Sequence, residues 1–180
     1  MASRVVLSGF ASIFSIVALM ATVHAGPLEN GGFEKNLKGW SALSGTAIQV
    51  QGSAVHGISA YRGTHWAQLG TGSNVLAQNI TATPGTKFKL SFAVANYTAG
   101  QPSNTFVVEW CHADGNGCIP FANTTYNGVQ SFGWKRKANS VVSDGTNKLE
   151  LSAFTAGNDD FWAVDDFRLT LVSAASPAAR

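Results

Sequence analysis

The chain has ten acidic side chains, and few of them stand where chemistry could be done. Glu109 lies in an alternating apolar and polar segment and has no evident carboxylate partner. Asp159-Asp160 and Asp165-Asp166 are adjacent pairs. Neighbours on a strand point to opposite faces, so such pairs diverge rather than converge. Glycoside hydrolysis needs two carboxylates flanking one cleft, and covalent catalysis needs a nucleophile held by a base. Beyond residue 25 the histidines are His56, His65 and His112, and none stands in a nucleophile motif. The expectation is a protein that is not an enzyme.

Cys111 and Cys118 are the two cysteines. A thiolate pair beside His112 would begin a metal site, but no fourth ligand stands nearby. The intervening residues 112–117, His-Ala-Asp-Gly-Asn-Gly, suit a tight loop. A disulfide is the better expectation.

The elements that must position these groups read as strands. Phe88, Leu90, Phe92 and Val94 share one face of a period-two segment, with Lys87, Lys89, Ser91 and Ala93 opposite. Thr105–Cys111 continues the pattern, with Phe106, Val108 and Trp110 together. Asn147–Phe154 pairs Leu149 with Leu151, and Trp162–Val172 carries Phe167, Leu169 and Leu171 inward. Shorter strands are expected at Thr46–Gln51, His65–Leu69, Val75–Thr81 and Phe132–Ala138. Turn residues cluster at 70–74, 83–86, 114–117 and 143–146. No long stretch has helical period. The pattern predicts an all-β, antiparallel jelly-roll β-sandwich of about eight or nine strands.

Arg4, the apolar run to Met20, and Val23-His24-Ala25 form a signal-peptide pattern over residues 1–25. The run is too short and interrupted for a membrane span. What remains is one domain over 26–172 and a small, polar C-terminal tail over 173–180. Removing Arg4 lowers the net charge from +2 to +1, too weak a field to attract nucleic acid. Charged residues are 12% of the chain while 45% are hydrophobic, which excludes a disordered polyelectrolyte and suits a secreted β-protein, extracellular, cell-surface or periplasmic. A monomer is expected. Asn-x-Thr sequons at Asn79, Asn96 and Asn123 could carry glycans in a eukaryotic secretory pathway.

The most specific features lie at the two ends. Leu28-Glu29-Asn30-Gly31-Gly32-Phe33-Glu34 with Gly39-Trp40 opens the domain, and Phe161-Trp162-Ala163-Val164-Asp165-Asp166-Phe167-Arg168-Leu169 closes it. Between them stand Gly63–Gly70, Leu76–Ile80 and Pro84–Phe92. This order resembles the galactose-binding-like jelly rolls, closest to carbohydrate-binding modules for xylan and β-glucan and to related cell-wall or bacterial surface domains of unassigned ligand. The resemblance implies a structural Ca2+ ion shared by the carboxylates of Glu34 and Asp165, the Gly32 carbonyl and carbonyls of the 55–62 loop. Asp165 is in phase with Phe167, so alternation points it inward, where a carboxylate needs a cation or several donors. The alternative is that Asp165 accepts backbone N–H groups and Glu34 is merely exposed.

Sugar binding needs flat apolar faces and polar groups for hydroxyls. Trp40, Trp110 and Trp134 read as core residues, and Trp66 is ambiguous. The face of Lys89, Ser91, Ala93 and Ala95 reads as the floor of a shallow cleft. Glu109 would flank it, with Asn96, Tyr97 and Tyr126 where strands meet loops, and Trp162 with Asp159 and Asp160 as another rim. The resemblance therefore implies a secreted, non-catalytic module that binds a polysaccharide or other glycan. A structural or adhesive surface protein using the same fold for protein contacts is the second expectation.

Overall fold

Alternation along the chain condenses into two antiparallel sheets. The computed structural model describes residues 28–100, 103–114 and 117–175. The expected signal segment and residues 176–180 of the expected tail lie outside them. In chain order the strands are β1 (Glu34–Leu37), β2 (Ser41–Ser44), β3 (Ile48–Gln51), β4 (Trp66–Leu69), β5 (Gly72–Thr81) and β6 (Lys87–Tyr97). They continue with β7 (Thr105–His112), β8 (Ile119–Pro120), β9 (Tyr126–Asn127), β10 (Phe132–Val142), β11 (Thr146–Thr155) and β12 (Phe161–Ser173). One sheet has the order β10-β6-β12-β4-β3; the other runs β2-β5-β11-β7-β8, with β9 also on β7. A 3-10 turn at Ala122–Thr124 is the one helical element among the described residues. No helix there is long and apolar enough to cross a membrane.

The fold is the expected antiparallel jelly-roll sandwich, and all eight strands read from the sequence are present. The four additional ones, β1, β2, β8 and β9, have only two to four residues, too few for alternation to register. Phe88, Leu90, Phe92 and Val94 of β6 meet Leu149 and Leu151 of β11 and Phe106 and Val108 of β7 in the core. Phe92 stacks on Phe167 at 4.9 Å, and Trp40 packs against Phe167 at 5.3 Å. Trp110 is also buried, its Nε1 donating to the Val142 carbonyl at 3.1 Å.

The expected open cleft on the five-stranded sheet is filled. β6 from Leu90 to Asn96 and β12 from Phe161 to Phe167 are buried on both faces. Residues 52–65 fold over the outer face, where Ile58, Trp66, Ala95, Phe161 and Ala163 form a second cluster. Ala95 pairs directly with Ala163. Their small side chains make room for Ile58, so the cleft signature was that of a packed layer. Indole N–H groups tie the loop down: Trp134 donates to the Ser59 carbonyl at 2.8 Å and Trp66 to that of Ser53 at 3.4 Å. Trp134, expected in the core, is partly buried and serves this loop. At the Ser91 end, Arg136 and Arg168 both bind Asp166, and Arg136 also donates to Ser91 Oγ at 3.0 Å.

A bulge changes the phase of β12. Val164 pairs with Val94 and Asp165 with Ala93, but Arg168 pairs with Ser91. One extra residue is inserted, and Asp166 takes a left-handed φ of +52°. Phe167 and Leu169 therefore face the core, while Asp165 shares the outer face with Ala93, beneath the 52–65 loop. Asp165 is buried, as expected, but not inward. Leu171, also expected inward, is 59% exposed.

The opening Gly31 packs against this bulge. Its carbonyl accepts from Phe167 N at 2.9 Å, and a Cβ there would lie 2.0 Å from the Phe167 carbonyl oxygen. Only glycine allows that approach.

Candidate functional site

The residues expected to form one binding face are dispersed. Asn96 is 1% exposed; it accepts from Asn104 Nδ2 at 2.8 Å and its own amide reaches the Val129 and Gln130 carbonyls. It is a strut between strands and loops. Trp162 is fully buried and stacks on Phe106 at 5.0 Å, so it forms no rim. Trp162 pairs with Asn96, and both lie two residues from an inner-facing valine. That parity was already readable from Val94 and Val164. Tyr126 packs on Trp162 and Phe132, with its hydroxyl buried and without a hydrogen-bond partner among the described residues. Tyr97 lies on the outer face and stacks on His56 at 4.2 Å. Asp160 accepts from Thr98 Oγ1 and Ala99 N, both at 2.8 Å, whereas Asp159 is exposed.

Glu109 lies elsewhere, on the outer face of the six-stranded sheet. Directly paired residues share a face, so the register lays out transverse rows. One row is Ser41, Ala77, Glu150, Glu109 and Pro120. The next is Ser44, Val75, Ser152 and Val107. The third is Ser73, Phe154, Thr105 and Asn127. Rows are about 7 Å apart along the strands. Val75, Val107 and Phe154 belong to neither core cluster, and Phe154 is 41% exposed. The face thus offers apolar patches beside hydroxyls and two carboxylates.

Burial raises the pKa of Glu109 above its ordinary value, the facing Glu150 raises it further, and Lys148 opposes both. Lys148 bonds Glu150 at 2.8 Å, which leaves Glu109 the less compensated of the two acids. Beside it, Cys111 and Cys118 are joined as a disulfide. Their sulfurs and the Glu109 carboxylate are close, but disulfide sulfur supplies no thiolate, so the group does not make a zinc site.

A second constellation joins the two ends of the domain. Asp165 accepts from Arg62 N at 3.0 Å and Asp166 N at 2.6 Å. Burial pushes its pKa up to about 6 despite these donors. Glu34 accepts from Thr64 Oγ1 at 2.6 Å, Thr64 N at 2.7 Å and His65 N at 3.0 Å, and contacts His65 Nδ1 at 3.1 Å. The Thr64 hydroxyl, then His65 and the backbone donors, lower its pKa to about 2. The non-metal alternative is thus present in its donors: backbone N–H groups serve Asp165, and Glu34 is exposed. A Cβ on Gly32 would lie 3.8 Å from Asp165 Oδ1 and 3.9 Å from the Glu34 Cγ methylene, ordinary van der Waals contact, so the segment at Gly32 runs close to both acidic side chains. The oxygen-only donor set, under a folded loop, fits a hard cation.

No protein-family model matches the chain, and no curated protein matches it. Solved structures do. A family 16 carbohydrate-binding module is 20% identical with a TM-score of 0.58, over 79% of this chain and 98% of that one. A family 61 module solved in complex with β-1,4-galactotriose is 20% identical with a TM-score of 0.55, over 80% and 97%. The xylan-binding CBM22-1 domain of Paenibacillus barcinonensis Xyn10C is 19% identical with a TM-score of 0.52, over 81% and 94%. The chain is thus similar in fold, over nearly the full length of those domains, to the galactose-binding-like jelly rolls of carbohydrate-binding modules.

Proposed function

We propose that this chain is a secreted, non-catalytic carbohydrate-binding module that holds a cell-wall or extracellular polysaccharide across the outer face of its six-stranded sheet. The observation that carries the reading is the layout of that face. Val75, Val107 and Phe154 can meet the C–H surfaces of sugar rings, while Glu109 and Glu150, one row from the valines and two from Phe154, accept from hydroxyls. Their spacing suits a chain lying across several strands. The similar modules, two of them described with β-1,4-galactotriose or xylan, support the ligand class. The disulfide belongs to the chemistry of an oxidising compartment.

The reading includes a structural Ca2+ held by Glu34, Asp165, the Gly32 carbonyl and carbonyls of the 55–62 loop. Its role is to neutralise the buried Asp165 carboxylate and join the N-terminal segment to β12. Chelation should lower the melting temperature of the wild type and leave Asp165→Asn unchanged; equal melting with calcium and with chelator overturns the metal.

Retention on immobilised xylan, β-glucan and galactan tests the binding reading. Retention by at least one, weakened by Val107→Asp and by Glu109→Gln, is expected. No retention on any polysaccharide with calcium present overturns it.

A further inference from the structure

A pocket of about 300 Å3 opens at the edge of the five-stranded sheet, away from the face just described. Its lining comes from β3 and β4 (Gln49, Gln68), the 55–58 hairpin (His56) and the turns at Thr71 and Asp159, with Phe161 at one side. Three features make it more than a surface dimple.

The first is a conformational anomaly. Val55 and Ile58 exchange two backbone hydrogen bonds of 2.9 Å, so His56 and Gly57 are the central residues of a two-residue hairpin, with φ of +47° and +80°. Such turns favour Asn-Gly, and a histidine there is held in a sparsely populated conformation. What it gains is a fixed imidazole, stacked on Tyr97 and 6.1 Å from the Phe161 ring. It stands as an aromatic wall of the pocket.

The second is unspent polar capacity. Gln51 Nε2 donates to Gln49 Oε1 at 3.1 Å and to Gln68 Oε1 at 2.9 Å. This fixes both amides while leaving their own NH2 groups unpaired among the described residues. Asp159, unlike Asp160, makes no hydrogen bond or ion pair with any described residue. Two donors and one strong acceptor thus line one small concavity.

The third is charge. No lysine or arginine among the described residues lines the pocket, so a carboxylated, sulfated or phosphorylated ligand would face Asp159 without a counter-charge. A sugar hydroxyl, which both donates and accepts, suits amide NH2 groups beside a carboxylate, and its ring suits an aromatic wall. The volume is at the lower end for small-molecule sites, closer to one sugar residue than to a threaded chain.

We propose that this pocket is a second glycan site, which takes the terminal residue of an uncharged sugar chain. The proposal rests on the carbohydrate-binding reading but concerns a different surface. It predicts that two sites per molecule can engage one polysaccharide network, with an avidity neither site has alone.

Calorimetry and amide chemical-shift mapping of the whole chain test it, using glucose, galactose, xylose, mannose and the β-1,4-linked trimers of glucose, galactose and xylose, with glucuronic acid as the anionic probe. Asp159→Ala and Gln49→Ala change exposed side chains, and His56→Asn keeps the left-handed turn, so each should melt like the wild type. The expected result is shifts at Gln68, Thr71 and Phe161 on adding a neutral sugar. Affinity should fall about tenfold in Asp159→Ala, the size of losing one hydrogen bond to a charged group, and glucuronic acid should bind more weakly. Unchanged affinity in all three variants, with binding lost in Glu109→Gln, overturns the pocket and leaves the sheet-face reading standing. Glucuronic acid binding as tightly as glucose overturns the ligand class. An absence of binding by every one of these saccharides overturns the pocket, and with no polysaccharide retained either it overturns the sheet-face reading as well.

Discussion

Replacing Ile58 with alanine separates a packed roof from a mobile loop over an open cleft. Ile58 sits in a surface segment and would pass for an exposed loop residue in the sequence. In the structure it is 8% exposed and packed with Trp66, Ala95, Phe161 and Ala163. Ile→Ala at a buried site costs about 2–5 kcal/mol, the spread reflecting how far the surroundings can collapse. A loop can settle more than a strand, so the lower part of the range applies, about 2–3 kcal/mol. For a domain of this size that is a fall in melting temperature of about 5–10 °C. Urea unfolding gives the free energy and calorimetry the midpoint. Loosening the roof should also wet Trp66, which is fully buried, and shift tryptophan emission to the red. An exposed loop residue would change stability by no more than about 0.5 kcal/mol. A change that small, with unaltered emission, refutes the two-sided burial of β6 and β12.

Three further outcomes follow from named contacts. Replacing Cys111 and Cys118 together with alanine removes a bridge of sequence separation 7 and should cost about 2.5 kcal/mol in the chain-entropy model, measured by urea unfolding. Trp162→Ala should cost about 3–5 kcal/mol or prevent folding; a stable variant with only reduced glycan affinity would return Trp162 to a binding rim. Glu109→Gln should stabilise the fold at neutral pH and have no effect in acid. The folded pKa lies above the ordinary 4.5, so the cost of the ionised carboxylate is absent below 4.5 and grows as pH rises through the folded value. Unfolding at both pH values checks the sign, and stabilisation confined to acid contradicts it.

The comparison of sequence with structure is clearest within β6 and β12. Period-two alternation assigned Phe88, Leu90, Phe92 and Val94 to the core correctly, because a strand's faces are set by covalent geometry. The same pattern marked Ser91, Ala93 and Ala95 as outward, and they are. It could not tell that outward meant buried. Small residues on a strand mark either an open floor or a packed one. The difference lies in residues 52–65, more than twenty-five positions away, whose Ile58 and indole-tethered carbonyls fill the space.

Other misreadings have related causes. Asp165 was placed on the wrong face because a single inserted residue, Asp166 at positive φ, reverses the parity of all that follows. Alternation is local, and a bulge is chosen by the partner strand. Trp162 and Asn96 were misread for the opposite reason, since their parity with Val164 and Val94 was legible and aromatic or amide character was weighed above it. The pocket of Gln49, His56, Gln68 and Asp159 left only a faint sequence trace, a His-Gly pair at a hairpin tip. Its residues come from four segments that only the stacking of strand β4 between β3 and β12 makes neighbours. Covalent geometry and composition thus settled the strands, the core faces and the all-β class. Long-range packing settled which surfaces stay open, because water is excluded by segments distant in the chain and not by the strand's own pattern.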